Sequence, residues 1–313
     1  MDNDQVVECY KLQIISFYLM VLFLSSLFCN IILLYIIYKF NRFRTSLNIY
    51  ILSLICLNLI GTLIELPITI LSNFNCQWIF SQLGCVISGF LMYFIGCTSI
   101  YIMALISLER YFMIYNSLKT KLNSNQVLFS ILICVILGFI WAFLPLVGWS
   151  HYSLEGALTS CSVEWNERNF NVLSYNVTIF ITVFFIPILI IIITNFKLIK
   201  LIKDFRNVYK KFNFVYMRKK FNAERKATFS MILITVGFVI SWIPYALVSL
   251  YRVFVDQKVS PLMGTIPAMF AKSTLLWTSL LYIYSNRQIR VLIKSFFVRR
   301  NAKRKLLLLK FYK

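Results

Sequence analysis

Seven long apolar stretches, centred near Leu27, Ile60, Ile100, Ile136, Ile188, Val236 and Leu275, constrain the fold of this chain most strongly. Each is long enough to cross about 30 Å of hydrocarbon as a helix. With 60% hydrophobic residues and a mean hydropathy of +0.77, the 313-residue chain is not composed like a water-soluble domain. The expected fold class is an all-α membrane protein, a seven-transmembrane helix bundle. The first run, Ile14 to Tyr38, follows a short acidic segment (Asp2, Asp4, Glu8). It lacks a basic n-region and a small-residue cleavage site, so it reads as a retained helix and not as a signal peptide.

Charge sets the topology. The net charge of +21 could suggest a nucleic-acid partner, but its distribution excludes that reading. When the loops are assigned alternately to the two faces, 27 of the 32 Lys/Arg residues fall on one side and four (Lys11, Arg168, Arg252, Lys258) on the other. The positive-inside rule then places the N-terminus outside and the C-terminus in the cytoplasm. Past Asn286, Ile289, Leu292, Ile293, Phe296 and Phe297 repeat at helical spacing, with Arg287, Arg290 and Lys294 on other faces. This is a short amphipathic cytoplasmic eighth helix on the inner membrane surface. Arg299 to Lys305 then forms a polybasic patch suited to anionic lipid. The domain reading is an extracellular N-terminus over 1–13, the bundle over 14–285, and the amphipathic helix with its basic tail over 286–313.

The remaining lysine, Lys272, lies inside the seventh run, roughly 15 Å from one end and 18 Å from the other. An ammonium at that depth costs about 2.5–3.5 kcal/mol on insertion scales, which makes the residue functional by default and calls for a partner. It either lines a water-filled cavity, pairs structurally with a carboxylate, or serves as a buried nucleophilic amine suited to a Schiff base with an aldehyde. Glu65, in the second run, is the other deeply placed ionisable residue; the alternative for it is a carboxyl held neutral by burial. Glu109-Arg110 closes the third run, and apolar residues follow at once, so Arg110 is expected to be half buried and paired. Prolines 187 and 244 are expected to kink the fifth and sixth helices. Cys9, Cys76, Cys85 and Cys161 fall outside or at outer helix ends, where disulfides can form. Asn176-Val177-Thr178 matches the glycosylation pattern but abuts the membrane.

These residues resemble the opsins, retinal-binding G-protein-coupled receptors, over nearly the whole chain. The resemblance rests on Arg44-Thr45-Ser46-Leu47-Asn48, Cys85 placed before Glu109, Pro145 through Trp149, Glu155-Gly156 with Cys161, and Trp242-x-Pro244-Tyr245. Its most specific parts are Phe270-Ala271-Lys272-Ser273 and Asn286-Arg287-Gln288-Ile289-Arg290. Gln77-Trp78-Ile79-Phe80, Pro67 and Leu158-Thr159-Ser160-Cys161 are most similar to melanopsin and the invertebrate visual opsins.

The resemblance implies a light-sensing receptor of the plasma membrane that is not an enzyme. Lys272 would bind 11-cis-retinal covalently as a Schiff base. Cys85 and Cys161 would pin the outer loop over the pocket. Trp242, Tyr245, Gly96, Phe180 and Phe184 would line it. Glu109-Arg110-Tyr111, with Glu224 and Tyr282, would form the switch for a heterotrimeric G protein, and arrestin is a further implied partner. A positive charge on the linkage needs an anion beside it. Position 88, acidic in vertebrate visual opsins, is a serine here; Glu155 is the expected counterion and Glu65 the alternative. Three departures stand out: Asn58 for the usual Asp, Thr278-Ser279-Leu280-Leu281-Tyr282 for Asn-Pro-x-x-Tyr, and Asn195 for a Tyr. They belong to the network that couples pocket to cytoplasm, so light absorption is expected to survive them and coupling to change. A retinochrome-like photoisomerase with weak or no signalling is the alternative function.

Overall fold

The computed structural model describes residues 7–40, 45–116, 122–165, 167–211, 215–254 and 260–297. Seven helices in these ranges are long and apolar enough to cross a membrane: Cys9–Lys39, Ser46–Phe74, Gln82–Tyr115, Ser124–Val147, Phe170–Phe205, Glu224–Arg252 and Pro261–Ser285, here spans one to seven. They form the expected multi-pass bundle. The basic residues Arg42, Arg44, Lys119, Lys121 and Lys258 and the polybasic tail after Phe297 lie outside the described residues.

Span one opens at Cys9, ahead of the expected Ile14, because its outer end is held. Leu12 is almost fully buried, and a disulfide joins Cys9 to Cys76 just beyond span two. Span three is the hub of the bundle. It has 61% of its central residues buried, against 28% for spans four and five, and it packs on spans two, four, five and six. Small residues permit this close approach. A Cβ built on Gly138 of span four would meet the Thr98 hydroxyl of span three at 2.1 Å and the Thr98 backbone nitrogen at 2.9 Å.

Between spans four and five the chain folds down as an antiparallel hairpin, β1 (Tyr152–Glu155) and β2 (Ser160–Val163). A disulfide ties Cys161 to Cys85 at the start of span three. The turn needs left-handed backbone at Gly156 and Leu158. Thr265 of span seven accepts a hydrogen bond from the Ala157 amide at 2.8 Å, and Thr159 donates to Asn73 of span two at 3.0 Å. The hairpin is thus fastened on three sides. Asn176 is buried, and its amide donates to the Glu164 carbonyl at 2.9 Å, so it is not presented for glycosylation.

The prolines act differently from simple kinks. Pro67 and Pro187 each follow a widened π-turn, Gly61–Glu65 and Phe180–Phe185. Pro244 sits inside the continuous helix Val215–Phe254, which begins earlier than the expected opening at Glu224. Span seven is broken at Ser273, immediately after Lys272, into Pro261–Lys272 and Thr274–Ser285. The eighth helix, Arg287–Phe297, is capped by the Asn286 side chain and docks through buried Ile289 and Leu292, with Phe296 edge-on to Tyr35 of span one.

The spans three–four contact generates a stability prediction. G138A forces atoms into backbone and is expected to cost about 1–3 kcal/mol, lowering the half-inactivation temperature of the purified protein. G237A, whose Cβ meets only the tip of Leu281 at 2.7 Å, is expected to lose less. Equal losses would contradict the tight crossing.

Candidate functional site

The π-turn over Gly61–Glu65 and the break at Ser273 turn two ionisable side chains toward each other. Lys272 is 4% exposed and Glu65 fully buried, and the Lys272 ammonium donates to Glu65 Oε1. Thr69, one turn beyond Glu65, donates to the same oxygen at 2.7 Å, and its hydroxyl lies 3.4 Å from Lys272 Nζ. Ser88 of span three reaches Oε1 at 3.4 Å. The second oxygen of Glu65 is buried without a hydrogen-bond partner.

Glu155, at the end of β1, is held from the other side. Ser160 donates to its Oε1 at 3.2 Å and Tyr245 to its Oε2 at 3.3 Å. Burial raises its pKa, and the nearby Lys272 charge and these hydroxyls only partly offset that. Glu155 and Lys272 line one cavity together with Tyr93, Trp242 and Tyr245. Those three aromatic residues also line a second, almost wholly apolar cavity, which continues past Gly96, Phe180, Phe184 and Phe238. The pocket therefore runs from a paired amine into an aromatic sleeve. Trp242 lies edge-on to Tyr245, with ring centres 5.9 Å apart, and its indole N–H is buried without a partner. A Cβ at Gly96 would meet the Trp242 ring at 2.9 Å, so glycine lets the indole lie against span three. This donor set fits an elongated apolar ligand carrying an aldehyde: an amine, a carboxylate beside it, and an apolar bed.

The cytoplasmic end holds a second constellation. Arg110, 4% exposed, contacts Glu109 at 2.9 Å and Glu224 of span six at 3.6 Å. They border a cavity of about 320 Å³ that Asn48 and Tyr282 also line. Tyr282 donates to Asn48 at 2.6 Å. Tyr111 turns away from this cluster and stacks on Tyr115, with ring centres 5.8 Å apart. Of the departing residues, Asn195 donates to Thr235 at 3.3 Å, Ser279 donates to Asn30 of span one, and the Asn58 amide nitrogen is buried without a partner.

Sequence reasoning singled out Lys272, Glu65, Glu155, the disulfide cysteines, the lining residues and the arginine switch. It missed Thr69, Tyr93 and Phe238. The signal for Thr69 was its spacing: four residues after a buried acid on a helix, it shares that acid's face. Tyr93 and Phe238 carried no such signal, because an aromatic residue in an apolar run is ordinarily lipid-facing or core.

Residues 29–286 match the family model of the 7 transmembrane receptors (rhodopsin family). Rhodopsin of the salamander Ambystoma tigrinum is 28% identical over 290 residues, covering 91% of this chain and 80% of its own. The "Rhodopsin, G0-coupled" of the scallop Mizuhopecten yessoensis is 26% identical over 298 residues, covering 92% and 73%. The crystal structure of squid rhodopsin superposes with a TM-score of 0.87 at 28% identity, covering 94% of this chain and 87% of that one. The chain belongs to the rhodopsin family of seven-transmembrane receptors and, within it, is an opsin.

Proposed function

We propose that this opsin is a light-sensing receptor that carries 11-cis-retinal covalently on Lys272 and activates a heterotrimeric G protein. The observation that carries the reading is the buried Lys272 amine, paired with a carboxylate and opening into an aromatic cavity. A structural ion pair alone would not need that cavity. When bound, retinal supplies light absorption and a change of shape by cis–trans isomerisation. The chain's own residues do the rest.

Lys272 Nζ is the attachment point. Glu65 balances the positive charge there; its direct contact favours it over Glu155 as counterion. Glu155, with a raised pKa and hydrogen-bonded to Tyr245, closes the outer side of the chamber. Gly96, Phe180, Phe184, Trp242 and Tyr245 exclude water and fix the orientation of the apolar chain. The Cys85–Cys161 bridge keeps the hairpin seated over them.

At the other end, Glu224 holds Arg110 to span six, so an outward movement of span six about Pro244 would part the two and enlarge the adjoining cavity. Arg110, Glu109, Tyr111 and Tyr282 are the proposed contact set for the G protein, and the G0 coupling of the scallop relative supports such a partner. Arrestin would share that face. The eighth helix would lie on anionic inner-leaflet lipid, with the N-terminus outside the plasma membrane and the C-terminus in the cytoplasm.

Two measurements test this reading. Reconstituted with 11-cis-retinal, the natural chain is expected to form a visible pigment attached at Lys272. E65Q is expected to absorb in the near-ultraviolet at neutral pH, while E155Q keeps a visible band. The reverse pattern would make Glu155 the counterion, and absence of any Lys272 adduct would sink the light-sensor reading. E224Q is expected to raise light-independent G-protein activation several-fold, since a partly exposed pair at 3.6 Å contributes about 1 kcal/mol and Arg110 keeps its contact with Glu109. Unchanged dark activity would exclude Glu224 from the lock.

A further inference from the structure

The Glu65 carboxylate is gripped by more than its lysine. Thr69 has one hydroxyl hydrogen and three neighbours: Glu65 Oε1 at 2.7 Å, the Glu65 carbonyl at 3.1 Å and Lys272 Nζ at 3.4 Å. A hydroxyl donates once and accepts through its lone pairs. Its hydrogen therefore goes to the nearest acceptor, Oε1, and a lone pair faces the ammonium. Lys272, Thr69 and Glu65 close a three-membered ring. Ser88 brings a second hydroxyl to the same oxygen from a different helix, at 3.4 Å. Glu65, Thr69 and Ser88 are all fully buried, so water does not compete. Every polar contact made by the side chain falls on Oε1, and Oε2 is left bare.

We infer that Thr69 and Ser88 are positioning residues that fix which oxygen of Glu65 faces Lys272, and thereby set the spectral and pH behaviour of the pigment. The inference rests on the proposed role of Glu65 as counterion. Neither hydroxyl touches the apolar sleeve, so neither is a lining residue. A carboxylate with two equivalent oxygens can rotate to offer either one. With hydroxyls on Oε1 alone, one orientation is favoured, and hydrogen bonds to a charged acceptor are the stronger kind. Lys272 is the last residue of the helix Pro261–Lys272 and precedes the Ser273 break. The other titratable groups facing Lys272 are Glu155 from the hairpin, Tyr93 from span three and Tyr245 from span six.

The test compares T69V, T69S, S88A and E65Q, each reconstituted with 11-cis-retinal and titrated with base while the visible band is followed. T69V is expected to lose the visible band at a pH lower by about one unit, a tenfold change. T69S, which keeps the hydroxyl, should match the natural chain. S88A, at the longer contact, should move the same way by less, and it carries the test if T69V does not fold. The double variant E65Q/S88E should regain part of the visible band lost in E65Q, because position 88 already reaches the Glu65 oxygen. A second readout needs no retinal: in isotope-edited infrared spectra of the retinal-free protein, the carboxylate band absent from E65Q should move in T69V and stay in T69S. T69V and S88A titrating like the natural chain while E65Q loses its band would overturn the clamp and leave Glu65 standing. E65Q keeping its visible band at neutral pH would overturn the counterion reading itself.

Discussion

A charged amine in the middle of a membrane-spanning bundle is tolerable only beside an anion, and the Lys272–Glu65 pair is the interaction around which this structure is arranged. Taking each ion out of water costs several kcal/mol, and mutual attraction repays that only with good geometry and further hydrogen bonds. Apolar residues of similar size would hold spans two and seven together at least as well. The pair is therefore poor evidence for stability and good evidence for a job. Its geometry is bought by local irregularity on both sides: the wide turn that ends at Glu65, and the helix break that follows Lys272. A regular helix in either place would swing its side chain to another face.

The same break connects the chamber to the cytoplasmic end. The Leu275 carbonyl, three residues past Lys272, takes donors from Ser26 and Asn30 of span one, each at 3.0 Å. Asn30 accepts in turn from Ser279, and Tyr282, one turn further on, donates to Asn48 at the rim of the Arg110 cavity. A polar thread thus descends along spans one, two and seven. Ser279 stands where the family motif has a proline, and its hydroxyl supplies a link that a proline could not. The exchange of Asp for Asn58 removes a charge from the same region and leaves an amide nitrogen unpaired. Around these departures the polar contacts run through Asn30 of span one.

Much of this was legible in the residues. Apolar run length fixed seven helices, and amphipathic spacing found the eighth. Lys272 and Glu65 announced themselves because charges are rare at that depth. What the residues did not reveal was which carboxylate meets the lysine, because that depends on helix rotation, and a π-turn rotates everything beyond it. Resemblance favoured Glu155, whose position the hairpin does bring to the chamber wall, whereas the direct contact belongs to Glu65. The Cys9–Cys76 bridge was equally open: four outer cysteines permit several pairings, and only the meeting of two helix ends selects one.

The two π-turns share one cause. Proline lacks an amide hydrogen, and its ring crowds the carbonyl four residues back, which is Leu63 for Pro67 and Val183 for Pro187. Widening the preceding turn relieves that clash and keeps most of the ladder intact. Each widened segment ends two residues before its proline, and each carries site residues: Glu65 in the first, Phe180 and Phe184 in the second. Pro244, by contrast, is absorbed within a continuous helix, so span six keeps its register while remaining the weak point of that helix. Two prolines thus aim side chains into the pocket, and the third leaves a place where the helix beside Trp242 can bend. The difference lies in the backbone: the turn ahead of Pro67 and of Pro187 takes in an extra residue, and the helix through Pro244 does not.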